Sequence, residues 1–131
     1  MPVSITIKDE TATGKIFNEV AVSFNAELVT VKEIIEQRVT VEAEQYNSKM
    51  SGYFNGLVQP GDAEKALNGY KLKEKKKVDA EKQVYAALEA FSKNAYFVLI
   101  DNIQAESLEQ MILINNKTEI SFIKLTPLVG G

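Results

Sequence analysis

The feature that most restricts the fold of this chain is a capped amphipathic helix. Thr30 and Glu33 form a Thr-x-x-Glu capping box, in which each side chain can accept the backbone N–H of the other residue. After the cap, apolar residues recur every three or four positions and form one stripe: Val31, Ile34, Ile35, Val39, Ala43 and Tyr46. Charged residues occupy the remaining face: Lys32, Glu33, Glu36 and Glu44. The spacing predicts a long helix that starts at Thr30 and lays its apolar stripe across a sheet.

The residues before this helix predict a β-hairpin. Two segments alternate apolar with polar residues, and their apolar positions are Val3, Ile5, Ile7, Val20, Val22 and Phe24. This period of two places each apolar set on one face of a strand. The residues from Thr11 to Gly14 provide the turn between the two strands.

Two more strands are predicted near the C-terminal end. The apolar run from Tyr96 to Ile100 is followed by Asp101-Asn102, which favours a tight bend. A second strand alternates from Ile120 through Phe122 to Leu125, interrupted by Ile123. Apolar residues on both faces predict a strand in the centre of the sheet. We predict one core shared by strands and helix, formed by Val3, Ile5, Val20, Val22, Ile34, Ile35, Leu99 and Phe122.

Residues 47–94 predict a helical insertion between these two halves. Asp62 is placed to cap a short helix, and Asp79 is placed to cap another. The second helix has an apolar face at positions i, i+3, i+4 and i+7, namely Val84, Ala87, Leu88 and Phe91. We expect that face to pack on the edge of the domain or against the first helix. The basic run from Lys71 to Lys77 predicts a solvated loop, with a patch for an acidic partner or nucleic acid as the alternative.

Composition excludes several kinds of chemistry. The chain has no cysteine and no histidine, so it forms no disulfide and has no thiol nucleophile, no histidine base and none of the usual zinc ligand sets. Glu106 and Glu109 are predicted to be solvated rather than catalytic. A formal charge of −3 gives no reason to expect nucleic acid or an anionic membrane as partner. The start of the sequence lacks the pattern of a signal peptide, so cytoplasmic localisation is expected.

The segment from Tyr96 to Gly131 resembles the C-terminal half of ubiquitin. It contains a strand (YFVLI), a turn (DNIQ), an acidic-hydrophobic connector (AESLEQMIL) and a last strand that runs to Gly130-Gly131. The N-terminal half is predicted to contain a strand, a turn, a strand and a long helix, which is the order of elements in the β-grasp fold of ubiquitin. The resemblance implies an α+β fold: a ubiquitin-like β-grasp domain over residues 1–131, with one long helix across the sheet, a helical insertion at about 47–94 and an exposed tail at 126–131.

The same resemblance implies a function at the tail. An E1-like enzyme would use ATP to adenylate Gly131, Gly130 would be a slim spacer, and Pro127, Leu128 and Val129 would be gripped by that enzyme. The chain would then be a prokaryotic ubiquitin-like modifier, with no catalytic residue, cofactor or metal of its own. Its partners would be the E1-like enzyme, E2-like and deconjugating enzymes, and lysines of target proteins.

Two alternatives remain open at this point. The tail has a proline and no arginine, and is in this respect more similar to the sulfur carriers, which end in a thiocarboxylate. A non-covalent β-grasp adaptor that docks through its sheet is the second alternative. The bulky insertion favours the modifier over the compact sulfur carriers.

Overall fold

The computed structural model describes residues 2–49 and 78–124. Within these residues the chain forms seven strands and two helices. In chain order they are β1 (Val3–Glu10), β2 (Ile16–Phe24), β3 (Leu28–Thr30), α1 (Val31–Lys49), α2 (Ala80–Ser92), β4 (Tyr96–Ile100), β5 (Ile103–Gln104), β6 (Met111–Leu113) and β7 (Ile120–Lys124). Helices and a mixed sheet in one structure confirm the predicted α+β class.

The main sheet has five strands in the order β2-β1-β7-β4-β5. Strand β7 pairs in parallel with β1 and antiparallel with β4, so it occupies the centre of the sheet. Ile120 and Phe122 are buried on one face of β7, and Ile123 is half-buried on the other. The prediction that this strand is central is therefore confirmed, whereas its outer face, where Ile123 is half-buried, is not fully covered. Leu125, which was predicted to extend this strand, lies outside the described residues.

Both predicted turns are present. The β1–β2 turn closes with hydrogen bonds from the Thr11 N–H to the Lys15 carbonyl and from the Gly14 N–H to the Thr11 carbonyl. Gly14 has a φ of 93°, a left-handed conformation that glycine adopts without steric cost. The β4–β5 turn consists of Asp101 and Asn102, whose φ angles of 51° and 69° suit a two-residue hairpin. The glycine in the first turn and the short polar residues Asp101 and Asn102 in the second therefore indicated the two bends correctly.

The capping box of α1 forms as predicted. The Thr30 N–H donates to Glu33 Oε1 at 2.8 Å, and the Glu33 N–H donates to Thr30 Oγ1 at 3.1 Å. Two further N–H groups at this helix end, those of Val31 and Lys32, donate to the carbonyls of Gln110 and Leu108. Side-chain and main-chain acceptors together satisfy the helix N-terminus, which fixes where α1 begins.

Replacing Thr30 with alanine removes the hydroxyl that accepts the Glu33 N–H. We expect the free energy of unfolding to fall by about 1 kcal/mol, the usual cost of losing an N-cap oxygen. Urea denaturation of wild type, Thr30→Ala and Thr30→Ser measures this, since serine keeps the hydroxyl. Equal stability of the alanine and serine variants would show that the cap contributes nothing.

One hydrophobic core joins the inner face of the sheet to α1. It contains the alternating residues of β1 and β2, the apolar stripe of α1, and Val98, Ile120 and Phe122 from the central strands. The predicted core is confirmed except for Leu99, which is half-buried on the opposite face. That assignment was wrong because side chains alternate along β4, and the buried residues there are Tyr96, Val98 and Ile100.

Helix α2 packs against α1, as predicted for the end of the insertion. Asp79 caps it by accepting the N–H groups of Glu81 at 3.0 Å and Lys82 at 3.4 Å. Ala87 and Phe91 are buried, and Val84 and Leu88 are partly buried against the core. The apolar face of α2 is thus covered within this chain. The short helix predicted after Asp62 and the basic run from Lys71 to Lys77 lie outside the described residues.

The connector between β5 and β7 contains a strand that the sequence analysis did not predict. Met111–Leu113 forms β6, which pairs antiparallel with β3 in a second, two-stranded sheet. The pattern was missed because the short run of consecutive apolar residues from Met111 to Ile114 has no period from which a strand can be recognised. This small sheet holds the connector against the start of α1.

Candidate functional site

The five residues predicted to form the functional tail lie outside the described residues: Pro127, Leu128, Val129, Gly130 and Gly131. What the structure describes is the part of the domain that precedes them. Strand β7 reaches Lys124, the last described residue, where Ile123 lies opposite Glu10 of β1 and Lys124 lies opposite Tyr96 of β4. The surroundings of this strand end are therefore the candidate functional region.

A buried ion cluster lies on the inner face of the sheet beside the end of β7. Asp9 comes from β1, while Arg38 and Glu42 lie one turn apart on α1, and all three side chains are at most 1% exposed. Arg38 binds both oxygens of Asp9, Oδ1 through Nη1 and Oδ2 through Nη2, the latter at 2.6 Å. Nη2 also donates to Glu42 Oε2 at 2.8 Å. We call these three residues the Arg38 cluster.

Burial and neighbouring charges together shift the pKa values of two cations in this region, Arg38 and Lys124. Burial by itself lowers the pKa of the Arg38 guanidinium, but the hydrogen bond to Asp9 and the charge of Glu42 outweigh it and hold the pKa above its ordinary value. Arg38 therefore stays charged. Burial lowers the pKa of the Lys124 ammonium, and the Asp9 carboxylate opposes part of that shift. The Nζ atom of Lys124 lies 6.0 Å from the centroid of the Phe17 ring.

A row of aromatic rings connects the Arg38 cluster to α2. The guanidinium lies 4.7 Å from the centroid of the Phe122 ring, which in turn stacks on Tyr96 at 5.6 Å. Tyr96 meets Phe91 of α2 edge-on at 6.0 Å, and its hydroxyl donates to the Ala87 carbonyl at 2.7 Å. Stacked and edge-on aromatic pairs contribute beyond the area they bury. The end of β7 is thus tied to both helices.

Burial raises the pKa of the Tyr96 phenol well above its ordinary value, against the weaker opposing effect of Arg38. Since the folded pKa is the higher one, the stability that depends on the protonated phenol is complete below the unfolded value of about 10 and is lost as pH rises above it. We expect Tyr96→Phe to lower the free energy of unfolding by about 1 kcal/mol at neutral pH. Above about pH 10 the difference between wild type and variant should narrow.

Denaturant unfolding at a series of pH values measures this effect of Tyr96. Tyr85→Phe is the matched control, because Tyr85 is 71% exposed and its variant should stay within about 0.5 kcal/mol of wild type. A gap between wild type and Tyr96→Phe that widens with pH would contradict the prediction.

The opposite face of the sheet presents apolar side chains beside β7. Phe97 and Ile123 are paired across β4 and β7, and Leu99 follows two residues after Phe97 on the same face. All three are half-buried. Next to them, the Ser121 hydroxyl donates to Glu10 Oε2 at 2.6 Å. We call Phe97, Leu99 and Ile123 the outer-face patch.

The Arg38 cluster is suited to holding the fold together rather than to acid–base catalysis, because its carboxylates already bind the guanidinium. The two acids considered in the sequence, Glu106 and Glu109, are exposed in the connector after β5. In the described part of the chain no three acidic side chains are grouped to hold a metal ion. The described helices include none that is long and apolar enough to cross a membrane.

Sequence reasoning missed the Arg38 cluster, although signals for it were present. Arg38 and Glu42 occupy positions within the apolar stripe of α1, and Asp9 continues the inward-facing alternation of Val3, Ile5 and Ile7. A charged residue at a position where the period demands an apolar one indicates a buried partner of opposite charge.

Comparison with family models, curated proteins and solved structures gives no match to this chain.

Proposed function

We propose that this chain is a ubiquitin-like protein modifier that acts through the carboxylate of Gly131. The observation that carries the proposal is the sheet order β2-β1-β7-β4-β5 with α1 packed on one face. A mixed sheet that grips one helix is compatible with a β-grasp fold. The last described strand is central and parallel to the first, and the Gly130-Gly131 pair follows it in sequence.

The chemistry of the proposal concerns one acyl carbon. A carboxylate is a poor electrophile until one of its oxygens becomes part of a leaving group. An E1-like enzyme would let the Gly131 carboxylate attack ATP, which forms an acyl-adenylate and releases pyrophosphate. A thiol of that enzyme would displace AMP, and the amine of a target lysine would then displace the thiol to form an isopeptide bond.

Residue size in the tail supports this chemistry. Gly130 and Gly131 have no Cβ, so a chain ending in them can enter a narrow channel that side chains would block. In the proposal Pro127, Leu128 and Val129 supply the apolar contacts that hold the tail in the activating enzyme. The chain itself has no cysteine, so the thiol must come from that enzyme.

The outer-face patch supports the binding of an activating enzyme to the sheet. Phe97, Leu99 and Ile123 lie on the face that α1 leaves uncovered, beside the strand that precedes the tail. Apolar side chains clustered on a surface are typical of protein docking sites. One enzyme could therefore contact the sheet and the tail together.

A sulfur carrier is the second candidate, favoured by the Pro127-containing tail without arginine. It shares the first step, but a sulfur nucleophile then displaces AMP and leaves a thiocarboxylate on Gly131. A non-covalent adaptor would use the outer-face patch and leave the carboxylate unchanged.

Intact-mass analysis of the protein isolated from its native cells separates the three functions. The chain is expressed in these cells with the affinity tag at its N-terminus, which leaves the carboxylate of Gly131 free to react. Adducts heavier by the mass of a whole protein, with an isopeptide bond from Gly131 to a lysine, support the modifier. A gain equal to the difference between one sulfur and one oxygen atom indicates the sulfur carrier. An unmodified mass in all fractions favours the adaptor.

A further inference from the structure

A groove on the helical side of the molecule is separate from the outer-face patch. It runs between α1 and the first turns of α2, reaches the segment between β2 and β3, and has a volume of about 690 Å³. Buried Phe24 and Val29 line it together with half-buried Ala80 and Val84 of the α2 side. We call it the α1–α2 groove. Its lining provides an apolar surface inside a wide, open depression.

The apolar surface continues from this groove onto the small sheet. Leu28 lines the groove and is 54% exposed. In the β3–β6 ladder Leu28 lies opposite Leu113, and Thr30 lies opposite Met111, so these residues share one face. Leu113 is 72% exposed and Met111 is 54% exposed. Three large apolar side chains exposed on one small sheet next to a groove are typical of a protein interaction surface.

The rim of the groove is acidic. Glu33 and Glu36 lie on the α1 side and Glu81 lies on the α2 side, and none of the described residues that line the groove is basic. Glu33 Oε1 accepts the Thr30 N–H, which holds that carboxylate in place at the rim. Three carboxylates around an apolar surface attract a cationic partner and repel phosphate groups, so a nucleic acid or an anionic membrane is disfavoured here.

We propose that the α1–α2 groove and the adjoining face of the small sheet bind an amphipathic, lysine-rich or arginine-rich segment of a partner protein. The apolar side of the segment would cover Leu28, Leu113 and the groove surface, and its cations would lie against the acidic rim. Such a segment supplies apolar anchors and complementary charge in one element, as amphipathic helices do in hydrophobic grooves. The proposal does not require activation of Gly131.

The test uses the full chain and a fluorescent synthetic peptide that has leucines at helical spacing on one face and lysines on the other. Fluorescence anisotropy should show saturable binding that weakens as salt is added. Glu36→Lys combined with Glu81→Lys should weaken binding by about tenfold or more. Glu19→Lys combined with Glu106→Lys is the charge control, because both glutamates are exposed outside the groove and two Glu→Lys changes alter the net charge by the same amount in both variants.

A second pair of variants tests the apolar surface. Leu28→Ser should weaken binding by about tenfold, whereas Ile103→Ser should leave it within about twofold. Ile103 is 69% exposed on β5, the edge strand of the main sheet farthest from β2, and is the matched apolar control. Circular dichroism and denaturant unfolding of every variant test whether its fold is retained.

Several results would overturn the proposal. Equal weakening by the Glu19 control would show that the peptide responds only to net charge. Equal binding of a peptide with glutamates in place of the lysines would show that the rim does not select cations. Concentration-dependent dimers in sedimentation that are lost in Leu113→Asp would assign the surface to a second copy of this chain instead.

Discussion

A chain that lacks Gly130 and Gly131 is expected to lose ATP-dependent activation completely while its stability stays within about 0.5 kcal/mol of wild type. Stability should hold because the hydrophobic core that the structure describes is formed without these residues. Activation should fail because the acyl group is then that of Val129. Its branched side chain would enter a channel shaped for glycine, and its carboxylate would end short of the nucleotide, where small errors in position cost large factors in rate.

The measurement of activation is formation of an adenylate, a thiocarboxylate or a conjugate with the cognate activating enzyme. Gly131→Ala is the finer variant, because it keeps the length of the chain and adds one methyl group. We expect it to be activated more slowly than wild type and faster than the shortened chain. A shortened chain that is activated as well as the intact one would exclude a role for the diglycine, and absence of activation in both chains would leave the adaptor.

Replacing Arg38 with methionine is expected to lower the free energy of unfolding by about 3–5 kcal/mol, because the Asp9 and Glu42 carboxylates would stay buried without the guanidinium that binds both of them. Whole domains are stable by only about 5–15 kcal/mol, so this loss is a large share of the total. Urea denaturation measures it. Methionine fills much of the volume of arginine, which keeps the effect on packing small.

Two further variants test whether the loss of stability in Arg38→Met comes from the buried charges. Lys93→Met breaks an exposed ion pair with Glu89, in which the two side chains are 72% and 55% exposed, and should cost at most about 1 kcal/mol. Arg38→Met combined with Asp9→Leu and Glu42→Leu removes all three charges and should recover much of the loss. If the single Arg38 variant costs no more than Lys93→Met, the cluster contributes little to stability.

The two surfaces proposed to bind partner proteins are far enough apart to be tested separately. The outer-face patch and the α1–α2 groove lie on opposite sides of the main sheet, since Leu99 alternates with the buried residues of β4 and α1 packs on the buried side. An activating enzyme on the first surface and a basic segment on the second would not compete for the same residues. Variants of one surface therefore serve as controls for the other.

The sequence by itself determined the elements whose causes are local. The Thr30–Glu33 cap, the turn at Asp101 and Asn102, and the Asp79 cap each depend on side chains that bond or shape backbone within a few residues. The apolar stripe of α1 and the alternation of β1 are periodic over enough residues to be recognised. These features were predicted because neighbours along the chain are neighbours in space whatever the rest of the fold does.

Only the tertiary structure decided which distant segments meet. Asp9 and Arg38 are 29 positions apart, and nothing in either neighbourhood states that the carboxylate and the guanidinium are buried together. The pairing of β6 with β3 and the outward position of Leu99 likewise depend on the register between strands that are far apart in sequence. Register is set by burying the whole set of inward side chains at once, because a shift of one residue turns every side chain to the other face.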